Sequence, residues 1–147
     1  MYEPCLIVVA SASLEHRREL MTILANLGLD PICASAVEPC RELIMREKID
    51  LVFCDRLFPD GDYRDVLAAS SRAKSKPNIV LVCRHDVSDY QEAIARGAFE
   101  MIGVPCRPTD VEWMVIQAKR SQRKRMQEEP STPVASPPEK IFRAGAA

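Results

Sequence analysis

The chain has 147 residues, 47% of them hydrophobic and 28% charged, with a net charge of −1 at pH 7. That length suits a single domain with a real core, and the near-neutral charge gives no global attraction to nucleic acid or an anionic membrane surface. No apolar run approaches the roughly 20 residues of a membrane span, and Met1-Tyr-Glu-Pro-Cys5 lacks the basic start of a signal peptide.

Strand and helix signals alternate five times. Leu6-Ile-Val-Val9 is a continuous apolar run, as expected of a strand covered on both faces. A helix follows over about Leu14–Leu27, with Ser13 as N-cap, Leu20, Met21, Leu24 and Leu27 as its buried stripe, and Gly28 as terminator. Asp30–Ala34 reads as a weaker second strand, and a helix begins near Pro39, whose fixed φ fits a first turn, with Cys40, Leu43 and Ile44 on one face. Leu51–Cys54 is the third strand and Tyr63–Ala73 the third helix. Ile79–Cys83 is the fourth strand, and a helix opening at Asp86 or Ser88 ends at Arg96-Gly97. Met101–Val104 is the short fifth strand. Thr109-Asp-Val-Glu112 has the pattern of a capping box for a last helix reaching about Arg125. Four prolines among Ser, Thr and Ala after Glu128 predict a disordered tail. The expected division is a domain over 1–126 and a tail over 127–147, too short for an output domain.

Five βα units joined by short connections imply an α/β fold: a flavodoxin-like, doubly wound, five-stranded parallel sheet in the order 2-1-3-4-5, with five helices. Right-handed crossovers then put the first and last helices on one face and the middle three on the other. Six cysteines, mostly within apolar segments and without a CxxC pair, suit buried, reduced thiols in a cytoplasmic protein.

The third strand ends on one carboxylate, Asp55, and a Pro/Gly turn follows it, which delivers that acid to the carboxyl edge of the sheet, where α/β domains keep their sites. Leu51-Val-Phe-Cys-Asp55 with Arg56-Leu-Phe-Pro59-Asp-Gly61 resembles the phosphoacceptor segment of response-regulator receiver domains, whose aspartate carries a phosphoryl group. Gly97-Ala-Phe-Glu-Met-Ile-Gly-Val-Pro105 is similar to the family's Gly-Ala segment leading to a Lys-Pro pair. The resemblance covers residues 4 to 122 and implies a receiver-like domain of the chemotaxis-receiver type in two-component or phosphorelay signalling, with Asp55 as candidate phosphoacceptor and no enzymatic activity of its own.

The sequence departs from that family at most other site positions. Ala10 and Ser11 stand where the family has two Mg²⁺-holding acids, Cys83 where it has Thr or Ser, Val104 where it has lysine, and Met101 at its switch aromatic. Phosphoryl transfer needs charge neutralisation on the phosphorus oxygens. Mg²⁺ wants hard oxygen ligands, carboxylates among them; Val104 offers no donor and Cys83 only a weak one. The expectation is a degenerate site with no cofactor and weak or absent Mg²⁺ binding, acting through protein–protein contacts. A phosphorylation-competent receiver using Asp55 is the alternative. Arg56 and Arg84 either fold over Asp55 or point into solvent.

Other signals weigh less. Cys54, Cys83 and Cys106 fall near the same edge but match no zinc spacing, and His16 is expected exposed on the first turn of the first helix. The first βα loop, Ala10-Ser-Ala-Ser13, has no glycine, so a dinucleotide fingerprint or P-loop is excluded. Lys119, Arg120, Arg123, Lys124 and Arg125 give the last helix a basic end, read as a solvated terminus favoured by the helix dipole, with nucleic-acid binding as the lesser alternative. With Val111, Met114, Val115 and Ala118 as the core stripe, Trp113 points away beside Ile116 and Arg120. Trp113 is then either an interface anchor or a residue laid over the helix edge. With Tyr90 on the fourth helix these residues mark a candidate face for a homodimer or for a signalling partner: a histidine kinase, a phosphotransfer protein or a downstream effector.

Overall fold

The computed structural model describes residues 5–83 and 88–128. Arg84, His85 and Asp86, and the Pro-rich segment from 129 onward, lie outside the described residues. The main sheet holds β1 (Ile7–Ala10), β2 (Ile32–Ala34), β3 (Leu51–Asp55), β6 (Asn78–Cys83) and β7 (Glu100–Gly103), all parallel, in the order β2-β1-β3-β6-β7. That is the expected 2-1-3-4-5 order. Between β3 and the third helix, β4 (Leu57–Phe58) and β5 (Gly61–Asp62) form a small antiparallel hairpin that the sequence reading treated only as a turn.

Five helices complete the chain: α1 (Leu14–Asn26), α2 (Val37–Arg46), α3 (Tyr63–Arg72), α4 (Ser88–Ala95) and α5 (Pro108–Glu128). Two apolar clusters follow the period-2 alternation of the strands. On one face Ile7, Val9, Phe53, Val80 and Val82 meet α1 and α5; on the other Val8, Val52, Cys54, Ile79 and Leu81 meet α2, α3 and α4. Each fully buried Val, Ile or Phe contributes about 1.5–3 kcal/mol of transfer free energy, and both faces are covered, as the continuous apolar runs required.

Helix ends show where sequence patterns hold and where they shift. Gly28 has φ +81, and Gly28 N–H donates to the Ala25 carbonyl while Leu29 N–H donates to that of Leu24, a Schellman close. Because α1 ends at Asn26, Leu27 falls at the C-cap and is exposed; Ile23 takes its expected place in the buried stripe beside Leu20 and Leu24. Thr109 is not an N-cap. Pro108 supplies the first helical position, so α5 starts two residues earlier than an N-cap at Thr109 requires, and Thr109 sits inside its first turn. The α5 core stripe is as expected, with Val111, Met114, Val115 and Ala118 all buried.

Candidate functional site

The site is assembled where β1 and β3 end. Ala10 pairs with Cys54 in register, so the next residues, Ser11 and Asp55, lie side by side and face α1. Both are buried, Ser11 fully and Asp55 to 8% exposure. The Ser11 hydroxyl donates to Asp55 Oδ2 at 2.5 Å, and its oxygen accepts from the Ser13 N–H at 3.0 Å. Ser13 caps α1 as expected, its hydroxyl accepting from the His16 N–H at 3.2 Å. That cap fixes the first helical turn.

The same turn brings His16 to the carboxylate, which overturns the expectation that it is simply exposed. His16 Nδ1 lies 3.3 Å from Asp55 Oδ2 and 3.4 Å from Oδ1, within ion-pair reach when the ring is protonated. Arg17 Nη1 donates to the Ser11 carbonyl at 2.7 Å, and its charge acts on Asp55. Burial pushes the Asp55 carboxyl above the ordinary aspartate range; the Ser11 hydrogen bond, His16 and Arg17 oppose that shift without cancelling it.

The remaining family positions are apolar. Ala10 is buried in the cluster facing α2, α3 and α4, as is Cys83 at the end of β6, and Met101 packs partly buried against that cluster. Val104 packs on the opposite, α1–α5 side, precedes a cis bond to Pro105, and donates its N–H to the Cys83 carbonyl at 3.3 Å. Arg56 is exposed, and among the described residues Ser11, His16 and Arg17 act on Asp55. Both His16 and Arg17 were missed from the sequence. The usable signal was Ser13: a capped helix starting at the site edge brings its third residue back over that edge.

Nearby acids and thiols are otherwise committed. In the β4–β5 loop Asp60 accepts from the Val37 and Glu38 N–H groups at 2.8 and 3.1 Å, capping α2, whose own N-cap residue, Ala36, has no side chain for the purpose; those bonds hold its carboxyl below the usual range. Asp62 and Asp65 form the capping box of α3. Burial raises the Cys54 thiol well above its ordinary value, and those of Cys40 and Cys106 to about 12, which disfavours the nucleophilic thiolate. The Cys106 N–H donates to Glu19 Oε1 at 3.1 Å, tying the β7–α5 loop to α1.

Away from this edge, Trp113 is 53% exposed on α5, with Ile116 and Arg120 exposed on the same helix and Tyr90 exposed on α4. Trp113 is therefore not laid into the core. Helices α4 and α5 lie on opposite faces of the sheet, at its β7 edge. Among the described residues no helix is long and apolar enough to cross a membrane.

No protein-family model matches the chain. The "Probable transcriptional regulator ycf27" of Porphyridium aerugineum is 32% identical over 110 residues, 75% of this chain and 45% of that protein. The response regulator protein PilR of Pseudomonas aeruginosa is 28% identical over 115 residues, 77% of this chain and 26% of that protein. The chain thus spans less than half the length of these curated relatives. In fold it is similar to a CheY-like response regulator receiver domain protein from Methanospirillum hungatei, with a TM-score of 0.74, 18% identity, and coverage of 84% of this chain and 99% of the other. In fold the chain is that of the CheY-like receiver domains, and in sequence it is similar to part of a response regulator and of a probable transcriptional regulator.

Proposed function

We propose that this receiver domain signals through protein contact, with Asp55 held by its own neighbours rather than presented to a phosphodonor. The observation that carries this reading is the Ser11–Asp55–His16 arrangement, in which hydroxyl and imidazole lie against the carboxylate that would attack phosphorus. A neutral hydroxyl and an imidazole nitrogen also make a poor donor set for Mg²⁺, which prefers hard, anionic oxygen. Asp60 and Asp62, in the segment that follows Asp55, are occupied at helix N-termini. Weak or absent Mg²⁺ binding and inefficient phosphoryl acceptance follow.

The partner is a signalling protein of a two-component network (a histidine kinase, a phosphotransfer protein or a downstream effector) in the cytoplasm, or a second copy of this domain. The surface flanking β7, with Tyr90 on α4 and Trp113, Ile116 and Arg120 on α5, is the proposed contact face. Titrating the full chain with beryllofluoride and Mg²⁺ while following amide NMR shifts tests the reading. The expected result is no saturable change at Ser11 and Asp55 into the millimolar range. A tight isotherm centred on Asp55 replaces this reading with that of a phosphorylation-competent receiver.

A further inference from the structure

The opposite edge of the sheet holds a cavity of different character. Its volume is about 380 Å³, within the range of small-molecule sites. It opens beneath the start of β6 and the segment leading into β7, between the ends of α3 and α4, with Ser121 of α5 at its border. Asn78 at its wall lies four residues before Val82, the register partner of Asp55, so it is roughly 13 Å from Asp55's level along the strand. Cavity and carboxylate are separate places.

The lining is cationic and hydroxyl-rich. Lys76 and Arg96 contribute positive charge, Ser70, Ser71 and Ser121 hydroxyls, and Asn78 a carboxamide, while no Asp or Glu is among the described lining residues. The guanidinium of Arg96 has five N–H donors, and its bond to Glu92 Oε2 uses the Nε–H at 3.0 Å. Glu92 is shared with Arg64, also at 3.0 Å, so one carboxylate is set against two guanidiniums. Ser70 donates to the Pro77 carbonyl at 2.9 Å and fixes the loop. Ser71 donates to the Ala68 carbonyl of its own helix at 2.9 Å, a bond that a ligand oxygen can replace.

Two further features converge on this edge. Lys76 has φ +46, a left-handed conformation uncommon for residues other than glycine. Helix α5 passes beneath the sheet here, since Gln122 Nε2 reaches the carbonyl of Asp50, just before β3, at 3.5 Å. The turns that carry Ser121 and Gln122 are also those of Lys119, Arg120, Arg123 and Lys124. A concave, carboxylate-free cavity next to a basic helix end concentrates positive potential where a small anion can enter. Leu67 and Phe99 add apolar wall.

We propose that this cavity binds a small phosphorylated molecule carrying two or more negative charges, with Lys76 and Arg96 on the phosphate oxygens. Such a site would give the domain a ligand input independent of Asp55. The test is a ¹⁵N amide NMR titration of the full chain at low salt with inorganic pyrophosphate and, separately, with ADP. Expected are saturable shifts at Ser71, Asn78 and Gly97–Phe99 while Ser11 and Asp55 stay still. Tighter binding of ADP than of pyrophosphate assigns the site to nucleotides, and the reverse to compact phosphates. Lys76→Asn, which tolerates the positive φ, and Arg96→Gln should each weaken binding about tenfold, as loss of a charge-assisted bond does, with melting temperatures reported alongside. Absence of shifts at those amides up to about 10 mM ligand, weaker than any useful site, overturns the proposal. So does binding that maps to Lys119–Lys124 and is indifferent to both substitutions, which is surface charge alone.

Discussion

At the ends of β1 and β3, Asp55 is met by a hydroxyl, an imidazole and the field of a guanidinium, whereas the same sheet edge at β6 and β7 carries Cys83, Val104 and Met101. The first half is polar and bonded; in the second, among the described residues, Cys83 is only a weak donor and Val104 and Met101 are apolar. In receivers, as the resemblance implies, charge compensation comes from two acids with their Mg²⁺ and from a lysine on the far side. Among the described residues, the groups that favour the ionised carboxylate here are Ser11 and, from the first turn of α1, His16 and Arg17. The comparison teaches that a capped helical turn at the sheet edge can surround a buried carboxylate with a hydroxyl, an imidazole and a guanidinium field.

The largest effect should come from rebuilding both halves. Ala10→Asp, Ser11→Asp and Val104→Lys together should raise labelling of Asp55 by acetyl phosphate at least about 100-fold, the scale of restoring charge stabilisation in a transition state. Mass spectrometry of the intact chain reads this out. Because the new acids crowd Asp55, the triple variant should be destabilised without metal, and Mg²⁺ should raise its melting temperature by mass action while leaving that of the native sequence unchanged. Equal labelling of the native and triple forms breaks the account of both halves.

Next is the cost of keeping Asp55 ionised. Its folded-state carboxyl titrates above its unfolded value, so the associated stability is fully present below the unfolded value, near 3.8, and is lost as pH rises through the folded one. Asp55→Asn keeps an acceptor for Ser11 and removes the charge. The variant should match the native chain near pH 3.5 and exceed it at pH 7 by on the order of 1–2 kcal/mol, as relief of a buried charge does. Denaturant melts at the two pH values check this. A variant less stable at pH 7 means that His16 and Arg17 over-compensate the burial.

A finer contrast separates the halves directly. His16→Ala removes a group that lowers the Asp55 carboxyl value, so its titration midpoint, followed by carboxyl ¹³C NMR, should move further up. Val104→Ala, on the other half, should leave that midpoint where it is. Movement in both variants would show the halves to be electrostatically joined.

These contrasts also mark how far the sequence could be read. The strand order and the α5 stripe were legible because burial on both faces leaves apolar runs, and a 3.6-residue period survives in Val111, Met114, Val115 and Ala118. The start of α5 was misread because Thr109 and Glu112 imitate a capping box while Pro108 fixes the first turn. Asp55 was legible as the last residue of an apolar strand. Its partners were harder to see: Ser11 looked like a lost acid, and His16 and Arg17 are separated from Asp55 by nearly forty residues and meet it only through register and helix start. Asp60 had no sequence signature as a cap, since it serves a helix that precedes it in the chain.

The β6–β7 half of the edge leads to the surface formed by α4 and α5. Val104, at the lysine position, and Met101, at the switch position, are apolar, so neither side chain offers Asp55 a charge or a hydrogen bond. That surface carries exposed Trp113 and Ile116 on α5, spaced so that they neighbour each other on the helix, with Arg120 one turn further and Tyr90 on α4 across the β7 edge. A large exposed indole beside an aliphatic side chain is costly to leave in water and is the usual anchor of an interface. The face should be permanently competent, binding a second copy or its signalling partner without phosphorylation. Trp113→Ala should weaken association by about 1 kcal/mol or a little more while leaving the melting temperature unchanged, because the side chain is outside both cores. Analytical ultracentrifugation with a parallel thermal melt decides. Unchanged association places the interface elsewhere, and association that appears only after Asp55 is rebuilt as an acceptor would join the two halves that the structure keeps apart.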